Sequence, residues 1–92
     1  MPELPERVIA ALDGAAGPVC AYVYDTAVLA DAAAALRGAL PSASILYAVK
    51  ANGHPAVVSA LAAHLDGLEV ASGGELTLAL SAGARRIAFG GP

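Results

Sequence analysis

The sequence has few charged residues: they make up 14% of its 92 positions, whereas 58% are hydrophobic and the mean hydropathy is +0.66. This composition excludes an intrinsically disordered segment. A domain of this size exposes proportionally more surface than a large domain, and few polar residues are present to cover that surface. We therefore expect residues outside this sequence to cover much of its apolar surface.

Other scarcities exclude particular sites and locations. Five basic residues stand against eight acidic ones, for a net charge of −3, and no basic stripe is present that could bind nucleic acid. Cys20 is the single cysteine, so no internal disulfide or multi-cysteine metal site is predicted, and we expect it to be a small buried residue in a strand. No apolar run approaches the ~20 residues of a membrane span. Residues 1–6 are acidic and broken by prolines, unlike a signal peptide, so we expect a soluble cytoplasmic protein.

The first part of the chain predicts two helices separated by a strand. A short amphipathic helix is expected over residues 3–13, then a loop at 14–18 and a strand at 19–24 that is rich in β-forming residues. An alanine-rich helix follows, capped by Asp25 or Thr26 and ending near residue 40. Its small side chains allow close approach, so we expect this helix to be packed along most of its circumference.

From residue 44 onward, strands alternate with helices. Strands are predicted at about 44–49, 68–71 and 86–89, with helices that begin at Pro55 and Ser72 and are closed by Gly67 and Gly83. Parallel strands need such crossovers and antiparallel hairpins do not, which predicts right-handed βαβ units. An open doubly wound sheet and the opening of an eight-fold βα barrel both fit this pattern. No glycine-rich nucleotide-binding motif supports a nucleotide site.

Lys50 is the main candidate for chemistry. It is the only lysine in the chain, and it follows a predicted strand at the end where α/β folds place functional groups. An uncharged amine at this position could condense with an aldehyde. A solvated, charged lysine at the end of a strand would have no such role, and the spacing leaves both interpretations open.

Four other polar residues lie near the same predicted strand ends. Ser72 and Glu75 form the pattern S-x-x-E, which is typical of a capping box, although Glu75 would also lie at the mouth of a site beside Lys50. Glu69 lies within a short strand and faces either that site or solvent. His54 could reach back over the site, cap the helix that follows it, or merely be exposed.

Four motifs, in this order and at this spacing, resemble the start of the fold-type III pyridoxal-phosphate decarboxylases, the group of ornithine, diaminopimelate and arginine decarboxylases. They are Tyr47-Ala48-Val49-Lys50-Ala51-Asn52, Glu69-Val70-Ala71-Ser72-Gly73-Gly74-Glu75-Leu76, Ala82-Gly83 and Phe89-Gly90-Gly91-Pro92. Residues 21–25 also resemble the opening strand of that family. The resemblance covers residues 19–92.

The resemblance implies an α/β fold made of the opening βα units of a pyridoxal-phosphate-binding (β/α)8 barrel of the alanine racemase type. Residues 1–18 would be an N-terminal helix and loop, and 19–43 an opening strand and helix, the strand belonging to a separate β domain. Residues 44–92 would supply the first three strands and two helices of the barrel. A closed barrel takes eight strands, so we expect the front of a longer protein or an incomplete gene product, without turnover on its own.

The resemblance also implies a cofactor site. Lys50 would hold pyridoxal 5′-phosphate as an internal aldimine, and Ala48 would leave room for its planar ring. Glu69, Ser72 and Glu75 would lie at the cofactor, with Glu69 at a position where the family often has aspartate. The ring-stacking, phosphate-binding and substrate-carboxylate residues come later in the family's sequences.

The implied reaction is the decarboxylation of a small amino acid by a full-length homodimer, with no metal and no nucleic-acid or membrane partner. An alanine racemase-like enzyme, a non-catalytic carrier of pyridoxal phosphate and an inactive fragment are alternatives. The signature at residues 69–76 favours a decarboxylase over a racemase, and the strand at 19–24 argues against a carrier built on a lone barrel.

Overall fold

The computed structural model describes residues 4–18 and 20–91. Within these residues the elements follow in the order α1 (Glu6–Asp13), α2 (Thr26–Ala39), β1 (Leu46–Ala48), α3 (Pro55–His64), β2 (Gly67–Val70), α4 (Gly73–Ser81) and β3 (Ile87–Phe89). A 3-10 turn over Val49–Ala51 follows β1 directly. The alternation of strands and helices predicted from residue 44 onward is confirmed. No helix in the described part of the chain combines the length and apolar character needed to cross a bilayer.

The three strands form one parallel sheet in the order β1-β2-β3. Leu46 is paired with Gly67, and Ala48 with Glu69, which is in turn paired with Ala88 of β3. Each strand therefore lies beside the strand that precedes it in the chain, with a helix as the crossover. This arrangement confirms the predicted parallel βαβ units.

The helices cover one face of the sheet. Leu68 and Val70 of β2 are fully buried in an apolar cluster that also includes Val49, Val58, Ala62 and Ala79. A second cluster joins α2 to α3 through Ala33, Ile45, Val57, Leu61 and Leu65. Because successive side chains in a strand point to opposite faces, Glu69 lies on the other face of the sheet, together with its paired neighbours Ala48 and Ala88.

The alanine-rich helix α2 is packed on one side only. Asp25 caps it, as expected, by accepting a hydrogen bond from the Ala27 N–H at 3.0 Å. Ala33 is buried, but Leu36 is 45% exposed and Leu40 is 48% exposed. The expectation of packing along most of the circumference is therefore wrong, because α3 is the element that α2 chiefly contacts among the described residues.

The strand expected at 19–24 does not form over residues 20–24, and Val19 lies outside the described residues. A strand needs a hydrogen-bonding neighbour, and no strand of the described sheet pairs with this segment. Tyr22 is consequently 91% exposed. Cys20 is also exposed, so its expected burial in a strand is wrong for the same reason.

Gly67 and Gly83 have different local roles. Gly67, expected to cap α3, is instead the first residue of β2, and the C-cap of α3 is Leu65. A Cβ atom at Gly67 would collide with the backbone carbonyl of Arg86, so the glycine allows β2 and β3 to approach closely. Gly83 closes α4 as expected, with a φ of +74° that L-residues rarely adopt.

Candidate functional site

The parallel strands all end at one side of the sheet, which we call the carboxyl edge. Lys50 follows β1 at this edge, Ser72 follows β2 and Gly90 follows β3. The Gly90 N–H donates to the Val70 carbonyl at 2.9 Å, which extends the pairing of β2 and β3 by one more hydrogen bond. The candidate residues from three separate motifs are therefore brought to a common edge.

Lys50 lies in the middle of the 3-10 turn Val49–Ala51 rather than in the strand itself. Val49 is 1% exposed and belongs to the helix-facing core, whereas Lys50 is exposed. No salt bridge to Lys50 is found within residues 4–18 and 20–91. The amine is thus accessible to a ligand. The sheet does not bury it, although burial was one basis for interpreting Lys50 as an uncharged amine.

Two hydrogen bonds hold the turn that carries Lys50. The Tyr47 hydroxyl donates to the Asn52 carbonyl at 2.9 Å, and the Asn52 N–H donates back to the Val49 carbonyl at 3.2 Å. Burial raises the pKa of the Tyr47 hydroxyl, with an opposing effect from its hydrogen bond to Asn52, so the group stays protonated and able to donate. The sequence pattern includes both residues in one motif and indicates no separate role for either.

Ala48 and Glu69 are paired across β1 and β2 on the open face of the sheet. Glu69 is half-buried, and its carboxyl group would lie 3.9 Å from a Cβ atom placed at Gly90. Glu69 therefore lies on the face of the sheet away from the helices, and its place at the site stays a prediction. No ion pair with Lys50 forms among the described residues.

Ser72 and Glu75 form reciprocal caps at the start of α4. The Ser72 hydroxyl accepts a hydrogen bond from the Glu75 N–H at 3.1 Å, and Glu75 Oε1 accepts one from the Ala71 N–H at 2.9 Å. The carboxylate thus reaches the residue before the cap, one position earlier than in the usual capping box. The capping interpretation is confirmed, and a direct role for either side chain at a cofactor stays a prediction.

His54 caps α3, which was one of its predicted roles. The ring Nδ1 of His54 accepts a hydrogen bond from the Ala56 N–H at 3.2 Å. The backbone N–H of His54 donates to Asn52 Oδ1 at 2.9 Å. The Tyr24 ring lies against the His54 ring, with centroids 5.9 Å apart. These contacts link the segment before α2 to the loop that follows Lys50.

The described residues contain no grouping of three or more His, Cys, Asp or Glu side chains that could hold a metal ion. The carboxyl edge instead offers one exposed primary amine, one half-buried carboxylate and small side chains between them. This combination suits an organic ligand that reacts with an amine.

Comparisons with known proteins agree with this chemistry. Residues 27–92 match the family described as pyridoxal-dependent decarboxylase, pyridoxal binding domain. The chain is 41% identical over 75 residues to a diaminopimelate decarboxylase of Bacteroides thetaiotaomicron, a match that covers 76% of this chain and 19% of that protein. It is 43% identical over 72 residues to a diaminopimelate decarboxylase of Aquifex aeolicus, covering 76% of this chain and 17% of that one.

A third relative, from Staphylococcus aureus, is a decarboxylase named for a substituted 2-hydroxybutanedioate. It is 37% identical over 89 residues, which cover 95% of this chain and 22% of that protein. The chain thus spans about a fifth of the length of the curated relatives it matches. It has no significant match among solved structures. Since the family match extends over most of the sequence, the chain belongs to the pyridoxal-binding domain family of the pyridoxal-dependent decarboxylases.

Proposed function

We propose that this chain provides the cofactor-attachment part of a pyridoxal-phosphate-dependent amino-acid decarboxylase, and that Lys50 binds the cofactor covalently through its ε-amine. The observation that carries the proposal is the position of the only lysine, exposed at the carboxyl edge of a parallel sheet. Membership of a pyridoxal-binding family supplies the aldehyde with which this amine would react.

The residues at the carboxyl edge fit such a group. Ala48 and Ala88 lie on the same face as Glu69, in paired positions, so small side chains flank the carboxylate on both neighbouring strands. Gly90 adds no side chain beside the Glu69 carboxyl. A flat ring held by Lys50 could lie over the end of this face nearest the carboxyl edge, where Ala48 and Ala88 flank Glu69, with the bulkier Leu46 two residues further back on β1.

Each residue has a defined part in the proposal. Lys50 holds the cofactor and, when released, is placed to give or take a proton. Ala48 leaves room for the ring, and Glu69 presents a negative charge on the same face. Ser72 and Glu75 fix the turn between β2 and α4 by their capping hydrogen bonds, and lie at the edge where they could also bind the cofactor. When bound, pyridoxal phosphate supplies an electron sink for the pair left on Cα as a carboxyl group departs.

We also propose that the sheet is the opening of a (β/α)8 barrel in a homodimeric enzyme acting on an amino acid. The consecutive parallel strands and the helices on one face support the barrel, since barrel strands keep helices outside and alternate residues inside. The diaminopimelate decarboxylases among the relatives support an amino-acid substrate. The proposed division assigns residues 44–92 to the barrel.

Borohydride trapping tests the attachment site. The protein is incubated with pyridoxal phosphate, reduced with borohydride to make the link permanent, and digested for peptide mapping. We expect the label on the peptide that contains Lys50 and its loss in Lys50→Ala. A Lys50→Arg variant keeps the positive charge and is the matched control, because arginine does not form the reducible link.

Two results would contradict the proposal. One is a wild-type protein without label on Lys50 at concentrations of pyridoxal phosphate that label the α-amine of the chain. The other is equal labelling of wild type and Lys50→Arg, which would place the cofactor on another group.

A further inference from the structure

The Tyr47 side chain makes two kinds of contact, one apolar and one a hydrogen bond. Its ring packs against both apolar clusters, the one under β2 and the one between α2 and α3. Its hydroxyl leaves the core and donates to the Asn52 carbonyl at 2.9 Å. Packing in the core therefore fixes the position of the ring. The hydrogen bond from its hydroxyl restrains the loop that contains Asn52.

The hydrogen bond closes a short loop around Lys50. Tyr47 lies three residues before the lysine and Asn52 two residues after it, so the bond spans the whole 3-10 turn. Inside it, the Asn52 N–H bonds to the Val49 carbonyl at 3.2 Å, and Val49 is anchored in the core. Both ends of the segment that carries Lys50 are thereby tied to buried groups.

Lys50 itself contributes nothing that would fix its position. Its side chain is exposed and has no salt bridge within the described part of the chain. The direction in which the amine leaves the sheet is consequently set by the backbone of the turn. The loss of a single hydrogen bond is enough to change the population of a turn conformation several-fold.

We propose that the Tyr47 hydroxyl is a positioning group that holds the Lys50 turn in the conformation that presents the amine over the open face of the sheet. This inference rests on the proposed function of Lys50 as the attachment point. Tyr47 acts through its hydrogen bond to the backbone of Asn52.

The test compares Tyr47→Phe with Tyr22→Phe. Both substitutions remove one hydroxyl, but Tyr22 is 91% exposed. The measured quantity is the initial rate at which pyridoxal phosphate and borohydride label Lys50, divided by the rate for the α-amine in the same sample. We expect this ratio to fall about three- to tenfold in Tyr47→Phe, as the loss of one hydrogen bond predicts, and to stay unchanged in Tyr22→Phe.

Amide hydrogen exchange gives a readout that needs no cofactor. The Asn52 N–H should exchange about three- to tenfold faster in Tyr47→Phe, whereas amides of β2 should keep their wild-type rates. If Tyr47→Phe does not fold, exchange in the wild-type protein serves instead. The Asn52 N–H, bonded to the Val49 carbonyl inside the turn, should then exchange at least about threefold more slowly than the Gly53 N–H that follows the turn, and equal rates would overturn the positioning role.

The outcomes separate the two proposals. Wild-type labelling ratios in Tyr47→Phe would overturn the positioning role and leave the attachment at Lys50 intact. An equal fall in Asp66→Asn, which alters the opposite edge of the sheet, would show a general loss of stability and would also overturn it. Absence of Lys50 labelling in the wild type would overturn the attachment and the positioning role together.

Discussion

The Asp66 carboxylate lies 3.0 Å from the guanidinium group of Arg37 and links the end of α2 to the start of β2. Its other oxygen accepts a hydrogen bond from the Ile45 N–H at 2.6 Å, and the Asp66 N–H donates to the Ile45 carbonyl at 3.0 Å. Asp66 thus joins three elements at the edge of the sheet opposite Lys50. The hydrogen bond from Ile45, followed by that from Arg37, lowers the pKa of the Asp66 carboxyl group below its usual value of 3.8.

The first prediction concerns acid stability. Because the folded pKa of Asp66 is lowered, its ionised form stabilises the fold fully above the unfolded value, about 3.9, and that contribution is lost as the pH falls through the folded pKa. Asp66→Asn should therefore lower the free energy of unfolding at pH 7, and the gap from wild type should shrink below about pH 4. Urea unfolding at pH 7, 5 and 3 measures both effects.

Asp31→Asn is the control for this experiment. Asp31 is exposed on α2, and no salt bridge to it is found in the part of the chain that the structure describes. Its substitution should leave the pH dependence of stability unchanged. Parallel curves of unfolding free energy against pH for wild type and Asp66→Asn would contradict the prediction. They would show that the contacts of Asp66 with Arg37 and Ile45 do not contribute to the pH dependence of stability.

The second prediction separates two contacts of His54. His54→Phe keeps an aromatic ring against Tyr24 but removes the Nδ1 acceptor that caps α3, and should cost about 0.5–2 kcal/mol of unfolding free energy. His54→Asn keeps a capping oxygen and loses the ring, so it should cost less. Denaturant unfolding of the two variants gives the comparison. An Asn variant less stable than the Phe variant would mean that the contact with Tyr24 outweighs the cap.

The third prediction uses the close approach of β2 to the residue before β3. Gly67→Ala should destabilise the fold by about 1–3 kcal/mol, because the new methyl group meets the Arg86 carbonyl and forces the strands apart. Gly38→Ala is the matched control, since a Cβ atom there meets nothing within 4 Å and the helix α2 gains a better helix former. The control should be as stable as wild type or more so, and equal losses in both variants would contradict the steric explanation.

The fourth prediction tests the open face of the sheet and rests on the proposed function. Ala48→Leu places a bulky side chain beside Glu69, where the cofactor ring would lie. The affinity for pyridoxal phosphate should fall at least about tenfold, equivalent to ~1.4 kcal/mol, with little change in thermal stability because this face is not part of the helix-facing core. An absorbance titration measures the affinity.

Ala35→Leu controls for the added volume, because Ala35 is exposed on α2. Its affinity for pyridoxal phosphate should equal that of wild type. Should Ala48→Leu bind the cofactor as tightly as this control, the ring would have to lie elsewhere.

The elements that were predicted correctly are those whose signals are local. Asp25, His54 and Ser72 each accept a hydrogen bond from the first turn of the following helix. Asp and Ser are preferred at this position, and Pro55 marks the start of the helix after His54. The parallel sheet follows from the spacing of strands and helices. The expectation for residues 20–24 failed because a strand depends on a partner, which no local pattern specifies.

The sequence identified candidate residues for the site but not the hydrogen bonds that hold them. Lys50 and Glu69 were identified by residue type and by their place at strand ends. The bond from Tyr47 to Asn52 was not predicted, because it joins a side chain to a backbone carbonyl across a turn whose geometry appears only in three dimensions. An apolar strand position occupied by tyrosine, five residues before an asparagine, was the available signal.

The strand order β1-β2-β3 has a consequence for biosynthesis. A ribosome delivers the chain from its N-terminus, so β2 and β3 each emerge after a neighbour to which they bind. β2 can dock on β1 while β3 is still in the exit tunnel, and within these three strands none has to be inserted between two others. In nascent chains arrested before β3, the backbone amides that hydrogen-bond β1 to β2 should therefore already be protected from hydrogen exchange.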